Sequence, residues 1–186
     1  MKIEMPQQTI DLATWKLVGD ELIESQKTIG QLVNVFADEQ IRQSMNQELL
    51  VYNVQAHLPV KEGTEGGLYF GTTIIQSGKV GNEYYMTRGH FHSKSDRAEY
   101  YWGVKGEGML LLMDKNRITR AEKMFPGSLH YIDADIAHRV ANTGNEPLHF
   151  GACWPSDAGH NYTEIDINGF SASLVEIDGL PALLDK

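Results

Sequence analysis

The chain has 186 residues, of which 41% are apolar, enough for one domain with a sizeable core that needs no disulfide or metal scaffold. Sixteen basic residues against twenty-five acidic ones give a net charge of −9, which disfavours nucleic acid and anionic membrane as partners. The longest strongly apolar run, Met109 to Met113, falls far short of a bilayer span, and the single Cys153 can form no intrachain disulfide, as suits a reducing, cytoplasmic setting.

The N-terminal third opens without a basic or apolar run, carrying Glu4, Asp11, Asp20 and Glu21, so no secretory signal is expected. Between Thr28 and Asp38, the residues Ile29, Leu32, Val33 and Phe36 fall at helical spacing, and Thr28 with Gln31 can form a capping box. A second short helix is predicted over Glu39 to Gln47, with Ile41 and Met45 on one side. Such stripes usually serve the core, and no chemistry is assigned to them.

From Leu49 onward the pattern changes to short strands. They read LLVYNVQAH, LYFGTTIIQ, EYYMT, AEYYWGV, EGMLLLMD, RITRAEK, SLHYID, IAHRVAN, PLHFGACW and ASLVEI. Turn-rich segments such as SGKVGN, VKGEG, FPG and NTGNE separate them. Close-spaced strands without intervening helices predict an antiparallel sandwich or barrel. The division expected is an N-terminal extension, 1–48, and a β-rich body, 49–186, forming a single structural domain.

The segment TRGHFHSKSDRAEYY, Thr87 to Tyr101, carries the chemistry. On a strand, His90 and His92 project to one face while Phe91 points to the other. The following SKSDRA is long enough to turn and return Glu99 on a neighbouring strand. His138, in IAHRVAN, is the best candidate for a fourth ligand. Imidazoles with a carboxylate suit iron, manganese, nickel or zinc. The bland alternative is a pair of half-exposed strand histidines, one of them pairing with Asp96 or Glu99.

The whole ensemble, GHFHSKSDRAEYYWGVKG with PGSLHYIDADIAHRVAN, resembles the two motifs of the cupin superfamily. The gap between His92 and Glu99 is longer than in the general cupin pattern. With T-x-G-H-F-H, D-R-A-E-x-Y and DAGHNY, it is similar to the cupin-type, or archaeal-type, glucose-6-phosphate isomerases. The likeness runs from about Tyr52 to Phe170, roughly two thirds of the chain.

That resemblance implies an all-β cupin double-stranded β-helix, a jelly-roll barrel, with short N-terminal helices. It implies one divalent ion per subunit on His90, His92, Glu99 and His138, iron first, with zinc, nickel or manganese as alternatives. Tyr52, Thr73, Thr87 and Gly89 match positions that hold the sugar phosphate, and Tyr162 one that contacts the sugar. Glu99, Tyr101 and His160 match catalytic positions, Glu99 as candidate base, Tyr101 and His160 as hydrogen-bond partners of the sugar chain, with His160 also assisting ring opening. Arg88 stands where the family often has lysine, and alternation along a strand would turn it away from the site.

Two departures are Asp133-Ala134, in place of a Pro-Pro pair, and Trp154, in place of a tyrosine. His57, His130 and His149 match no site and are read as structural. The implied reaction interconverts glucose 6-phosphate and fructose 6-phosphate in a cytoplasmic homodimer, with a sugar phosphate as the partner. Alternatives on the same scaffold are a non-haem iron dioxygenase, another sugar-phosphate isomerase or epimerase, or a non-catalytic sugar-binding cupin.

Overall fold

The computed structural model describes residues 1–186. In chain order the strands are β1 (Gln8–Asp11), β2 (Lys16–Gly19), β3 (Leu22–Thr28), β4 (Leu50–His57), β5 (Leu68–Ile75), β6 (Lys79–Val80), β7 (Glu83–Tyr84) and β8 (Glu99–Lys105). They continue as β9 (Gly108–Met113), β10 (Thr119–Met124), β11 (Leu129–Ile132), β12 (Ala137–Asn142), β13 (Leu148–Pro155), β14 (Ala172–Ile177) and β15 (Leu180–Asp185). Two six-residue helices, α1 (Glu39–Ser44) and α2 (Thr163–Asn168), are the only α-helices.

All pairings are antiparallel. One sheet has the order β11-β8-β13-β5-β4-β3, and smaller sheets run β10-β9-β12 and β15-β14-β7-β6. The extended segment after β7 joins the two smaller sheets: Thr87 N–H donates to Val140 O and Asn142 N–H to Tyr85 O, both at 2.9 Å. The result is the all-β, antiparallel arrangement that the resemblance implies, its sheets not closed into a continuous hydrogen-bonded ring. The run MLLLM forms β9, an interior strand buried on both faces, and β12 beside it is buried throughout. The apolar core joins β9 and β12 to Ile75, Met124, Ile132, Leu148 and Phe170.

The N-terminal region departs from the expected helices. Only Ile29–Gln31 makes a helical turn, of the 3-10 type. The apolar residues there do reach the core, but Val35 is the buried one and Val33 is 54% exposed. The cause is the backbone at Asn34, whose φ of 62 no α-helix tolerates, so the helical run stops after one turn, while Ile29 and Gly30 dock their N–H groups on Leu49 O and Gln47 O at 2.9 Å.

The second helix forms but is shorter than expected, capped by the Asp38 carboxylate accepting from Ile41 N–H at 2.8 Å. Its buried residue is Arg42, whose guanidinium donates to Glu39, to Ile29 O and to Gln47 Oε1, while Ile41 is 40% exposed. Three strands also precede Leu49, and one of them, β3, pairs along β4 as the edge of the large sheet. No helix is long and apolar enough to cross a membrane.

Candidate metal centre and substrate cavity

His90 does not lie in a regular strand. It faces His138 of β12 across an isolated antiparallel bridge, with N–H to O distances of 3.3 and 3.1 Å in the two directions. His92 lies two residues on, in an irregular stretch after the second bridge, Phe91 to Asn161. The expected juxtaposition survives the loss of strand regularity: ring centroids of His90 and His92 are 5.7 Å apart, and those of His90 and His138 are 4.4 Å apart. Glu99 opens β8 and completes the set, with one donor atom from each residue within 4.8 Å of the others.

The orientation of two imidazoles is fixed from behind. His92 Nδ1 donates to Arg97 O at 2.8 Å, and His138 Nδ1 donates to Ile136 O at 3.2 Å. A carbonyl only accepts, so the proton sits on Nδ1 and the Nε2 lone pair is left free. Glu99 Oε1 lies 3.3 Å from His92 Nε2 and 2.6 Å from His138 Nε2. Yet Glu99 Oε1, His138 Nε2 and His90 Nε2 are buried without a hydrogen-bond partner. Buried polar atoms that converge unpaired are the donor set a divalent ion requires, and the mixture of imidazole and carboxylate fits a first-row metal.

Electrostatics agree. Burial, aided by His138, His160 and His92, holds the His90 imidazole well below its ordinary value, so it is neutral and able to ligate. Burial alone would raise the Glu99 carboxyl, but His138 and His92 outweigh it and bring the group down to about 2. Burial lowers His92 as well, yet Glu99 offsets this and leaves that imidazole above its ordinary value.

The inner face of the large sheet opens into a cavity of 430 Å³ next to these ligands, within the range of about 300–1,000 Å³ for small-molecule sites. Alternation places Tyr52 on β4, Thr73 on β5, Tyr101 on β8 and Trp154 on β13 along its wall. Thr87, Gly89, His160 and Tyr162 line it too, so it gathers every expected substrate-side residue. His90, Glu99 and His138 also reach it, whereas His92 faces a separate surface pocket behind the ligand set. Gly89 has φ 80, and a Cβ there would lie 2.8 Å from a ring carbon of Phe170, so this backbone conformation beside the cavity requires glycine. His160 and Tyr162 stack at 5.9 Å with an interplanar angle of 8°, and burial lowers His160 below its ordinary value.

Arg88 corrects one expectation: it lines the cavity. Its guanidinium pairs with both oxygens of Asp166 on α2, at 2.6 and 2.5 Å, and sits 4.4 Å from the Tyr162 ring centroid. The irregular backbone at Gly89 breaks the strand alternation that would have turned it outward.

Beneath the same loop lies Arg139, 2% exposed, donating to Arg88 O at 2.8 Å and stacked 4.0 Å from the Phe170 ring centroid. Sequence reasoning missed it, although its place beside His138 in an all-buried strand was a signal. Two cations near Thr87 and Gly89 supply positive potential inside an acidic protein. Tyr52, raised to about 12 mainly by burial, remains a hydroxyl donor beside them.

Trp154 borders the cavity and packs edge-on to Tyr69 at 5.9 Å, while Asp133 and Ala134 do not line it. His130 is held by Glu122 and Ser128 at 2.9 and 3.0 Å, a structural role as expected.

A family model described as glucose-6-phosphate isomerase matches residues 26–180. The glucose-6-phosphate isomerase of Thermococcus kodakarensis is 40% identical over 178 residues, covering 95% of this chain and 92% of that protein. That of Thermococcus litoralis is 42% identical over 164 residues, covering 87% and 85%. Among solved structures, oxalate decarboxylase from Bacillus subtilis overlays 59% of this chain and 26% of its own, at TM-score 0.46 and 17% identity.

Proposed function

Because the chain belongs to the glucose-6-phosphate isomerase family and interconverts D-glucose 6-phosphate and D-fructose 6-phosphate, we propose that the reaction takes place in this cavity, beside one divalent ion on His90, His92, Glu99 and His138. One observation carries the reading. The wall that presents these ligands also presents Tyr52, Thr73, Thr87 and Gly89, so a single small molecule can span both.

When bound, the ion would supply Lewis acidity toward the C1 and C2 oxygens of the open-chain sugar. The phosphate is held by the hydroxyls of Tyr52, Thr73 and Thr87 and the Gly89 amide, with Arg88 and Arg139 behind them. His160, its imidazole held below the ordinary value, takes the anomeric hydroxyl proton and passes it to the ring oxygen as the ring opens. Tyr101, pushed well above its ordinary value by burial and by Glu99, stays protonated and donates to a sugar oxygen. Tyr162 packs on His160 and bounds the sugar chain.

Glu99 takes the C2 proton of the aldose and returns it to C1 through a cis-enediol, while the hydroxyl proton passes from O2 to O1. A second reading, direct hydride shift between C1 and C2, draws support from the Glu99 carboxyl at about 2, which makes it a weak base. Isomerisation of fructose 6-phosphate in deuterium oxide separates them: deuterium at C2 of the glucose 6-phosphate formed supports the proton shuttle, and its complete absence supports the hydride route.

Iron is the ion proposed, to be tested by metal analysis of the purified protein. A cytoplasmic homodimer is proposed as its state. The exposed Tyr100, Leu129 and Tyr131 at one end of the large sheet and the unpaired Cys153 support this, and light scattering checks the dimer. The extension 1–48 and the body 49–186 are proposed to act as one unit, since Ser25 and Lys27 of β3 reach the cavity. The decisive test is a dehydrogenase-coupled assay of glucose 6-phosphate formation, with and without chelator. Metal-loaded protein that leaves fructose 6-phosphate untouched would refute the assignment of this site.

A further inference from the structure

The segment between His92 and Glu99 is docked on the loop that carries His160. Asn161 and Phe91 exchange backbone hydrogen bonds at 2.7 and 3.1 Å, and Lys94 N–H donates to Ala158 O at 2.9 Å. Above this seam the side chains of both basic residues in SKSDRA close on one carboxylate. Arg97 Nε and Nη2 each reach a different oxygen of Asp157 at 2.9 Å, and Lys94 Nζ donates at 2.7 Å. The remaining guanidinium nitrogen, Nη1, pairs with the outward-facing Asp96 at 3.0 Å.

An ion pair between exposed side chains would count for little. This one differs in three respects. The Asp157 side chain is only 8% exposed, the arginine contact is bidentate and therefore directional, and a backbone seam already holds both segments in place. Arg97 and Lys94, in that order, hold the Asp157 carboxyl below the usual carboxylate range.

The contact has two ends. Arg97 O is the acceptor that fixes His92 Nδ1 at 2.8 Å, so the residue gripped by Asp157 is the one that orients a metal ligand. Asp157 itself lies three residues before His160, whose ring centroid is 4.3 Å from that of His90. The long gap before Glu99 thereby acquires a purpose: it supplies both cations and the carbonyl.

We propose that Asp157 is a positioning residue that, by gripping Arg97 and Lys94, sets the His92 imidazole toward the ion and holds His160 over the cavity. The proposal rests on the metal reading above. Outer partners of ligating histidines commonly contribute about 10- to 100-fold to metal affinity.

The test uses full-length protein stripped of metal and titrated with cobalt(II), whose visible spectrum reports ligand geometry. Asp157→Asn is expected to keep the far-UV circular dichroism of the wild type, to shift the visible band and to bind cobalt(II) about 10-fold more weakly, the lower end of that range because Asp157 acts through Arg97. Its kcat falls more than its KM for fructose 6-phosphate rises. Asp96→Asn, which removes only the outward partner of Arg97, behaves as wild type. Arg97→Lys keeps the charge but loses the fork, and falls between the two in affinity and spectrum.

Wild-type cobalt affinity and spectrum in folded Asp157→Asn overturn the clamp. Should Asp157→Asn fail to fold, Arg97→Lys decides by the same criterion. Wild-type protein that shows no cobalt site at all removes the metal reading and the clamp together, whereas a wild-type site unchanged in both variants removes the clamp alone.

Discussion

Glu99 Oε1 lies 2.6 Å from His138 Nε2, and neither buried atom has a hydrogen bond. A carboxylate oxygen facing an imidazole lone pair in the interior is costly unless a cation stands near both. Stripping the metal with chelator is therefore expected to abolish turnover, with recovery on adding back iron(II). His138→Ala removes several kcal/mol of transition-state stabilisation, so kcat should fall by at least about 1,000-fold. Metal analysis after gel filtration should find that variant largely empty. Retained metal with full activity would refute the ligand assignment.

The two threonines proposed to hold phosphate are predicted to differ. Thr73 sits on β5 and lines the cavity, so Thr73→Val loses a hydrogen bond to a charged group, about 1.5–3 kcal/mol. Its KM for fructose 6-phosphate should rise about 10-fold or more, with kcat within about 3-fold of wild type. Thr87 also accepts a hydrogen bond from Val140 N–H at 3.1 Å. Thr87→Val should thus raise KM and, by leaving that buried N–H unpaired, lower stability by about 1–3 kcal/mol. Thr87→Ser restores both. Steady-state kinetics with urea unfolding of the three variants tests the distinction.

Glu99 also predicts a pH effect in metal-free protein, where protons on the facing imidazole nitrogens take the place of the ion beside the carboxylate. Its carboxyl is brought from 4.5 down to about 2, so as acid is added the unfolded chain takes up a proton before the folded one. The stabilisation is complete above 4.5 and is lost as pH falls from there toward 2. Over the full window this amounts to on the order of 3 kcal/mol, of which about 1 kcal/mol is lost by about pH 3.5. The stability difference between wild type and Glu99→Gln, measured by urea unfolding, should shrink accordingly between about pH 6 and about pH 3.5. A constant difference would show that the carboxylate gains nothing from its imidazole neighbours.

The clustering of His90, His92, Glu99 and His138 was legible because metal chemistry restricts residue type and spacing, and because β8, β9, β12 and β13 alternate or bury as their sequences direct. What was not legible depends on partners distant in the chain. Ile29, Leu32 and Phe36 keep a helical period, yet the segment is docked through Ile29 N–H on Leu49 O and Gly30 N–H on Gln47 O and turns at Asn34, so packing was foreseen and conformation was not. Strand β3, LIESQKT, is a polar edge with little burial, and period-two hydrophobicity is faint in it. Arg88, Arg139 and Asp157 acquire their roles only through the contacts with Asp166, Phe170 and Arg97, all thirty or more residues away.

Gly89 and Gly63 offer a matched pair for testing how tightly the loop at Gly89 is built. Both have positive φ, 80 and 82, so alanine at either position carries the same backbone strain, about 1–3 kcal/mol. At Gly63 a Cβ would meet nothing within 4 Å. At Gly89 it would lie 2.8 Å from Phe170 and 3.0 Å from both Arg139 Cβ and Nε. Neither neighbour can yield easily, since Phe170 is fully buried and the Arg139 guanidinium is stacked on it. Gly89→Ala should therefore cost about 1–3 kcal/mol more than Gly63→Ala, a further fall in Tm of roughly 2–12 °C. It should also raise KM for fructose 6-phosphate while Gly63→Ala leaves it unchanged, because displacing the loop moves the amide proposed to meet the phosphate. Equal losses of stability and unchanged KM in both variants would mean that the loop has room to spare and that the Gly89 amide does not hold the substrate.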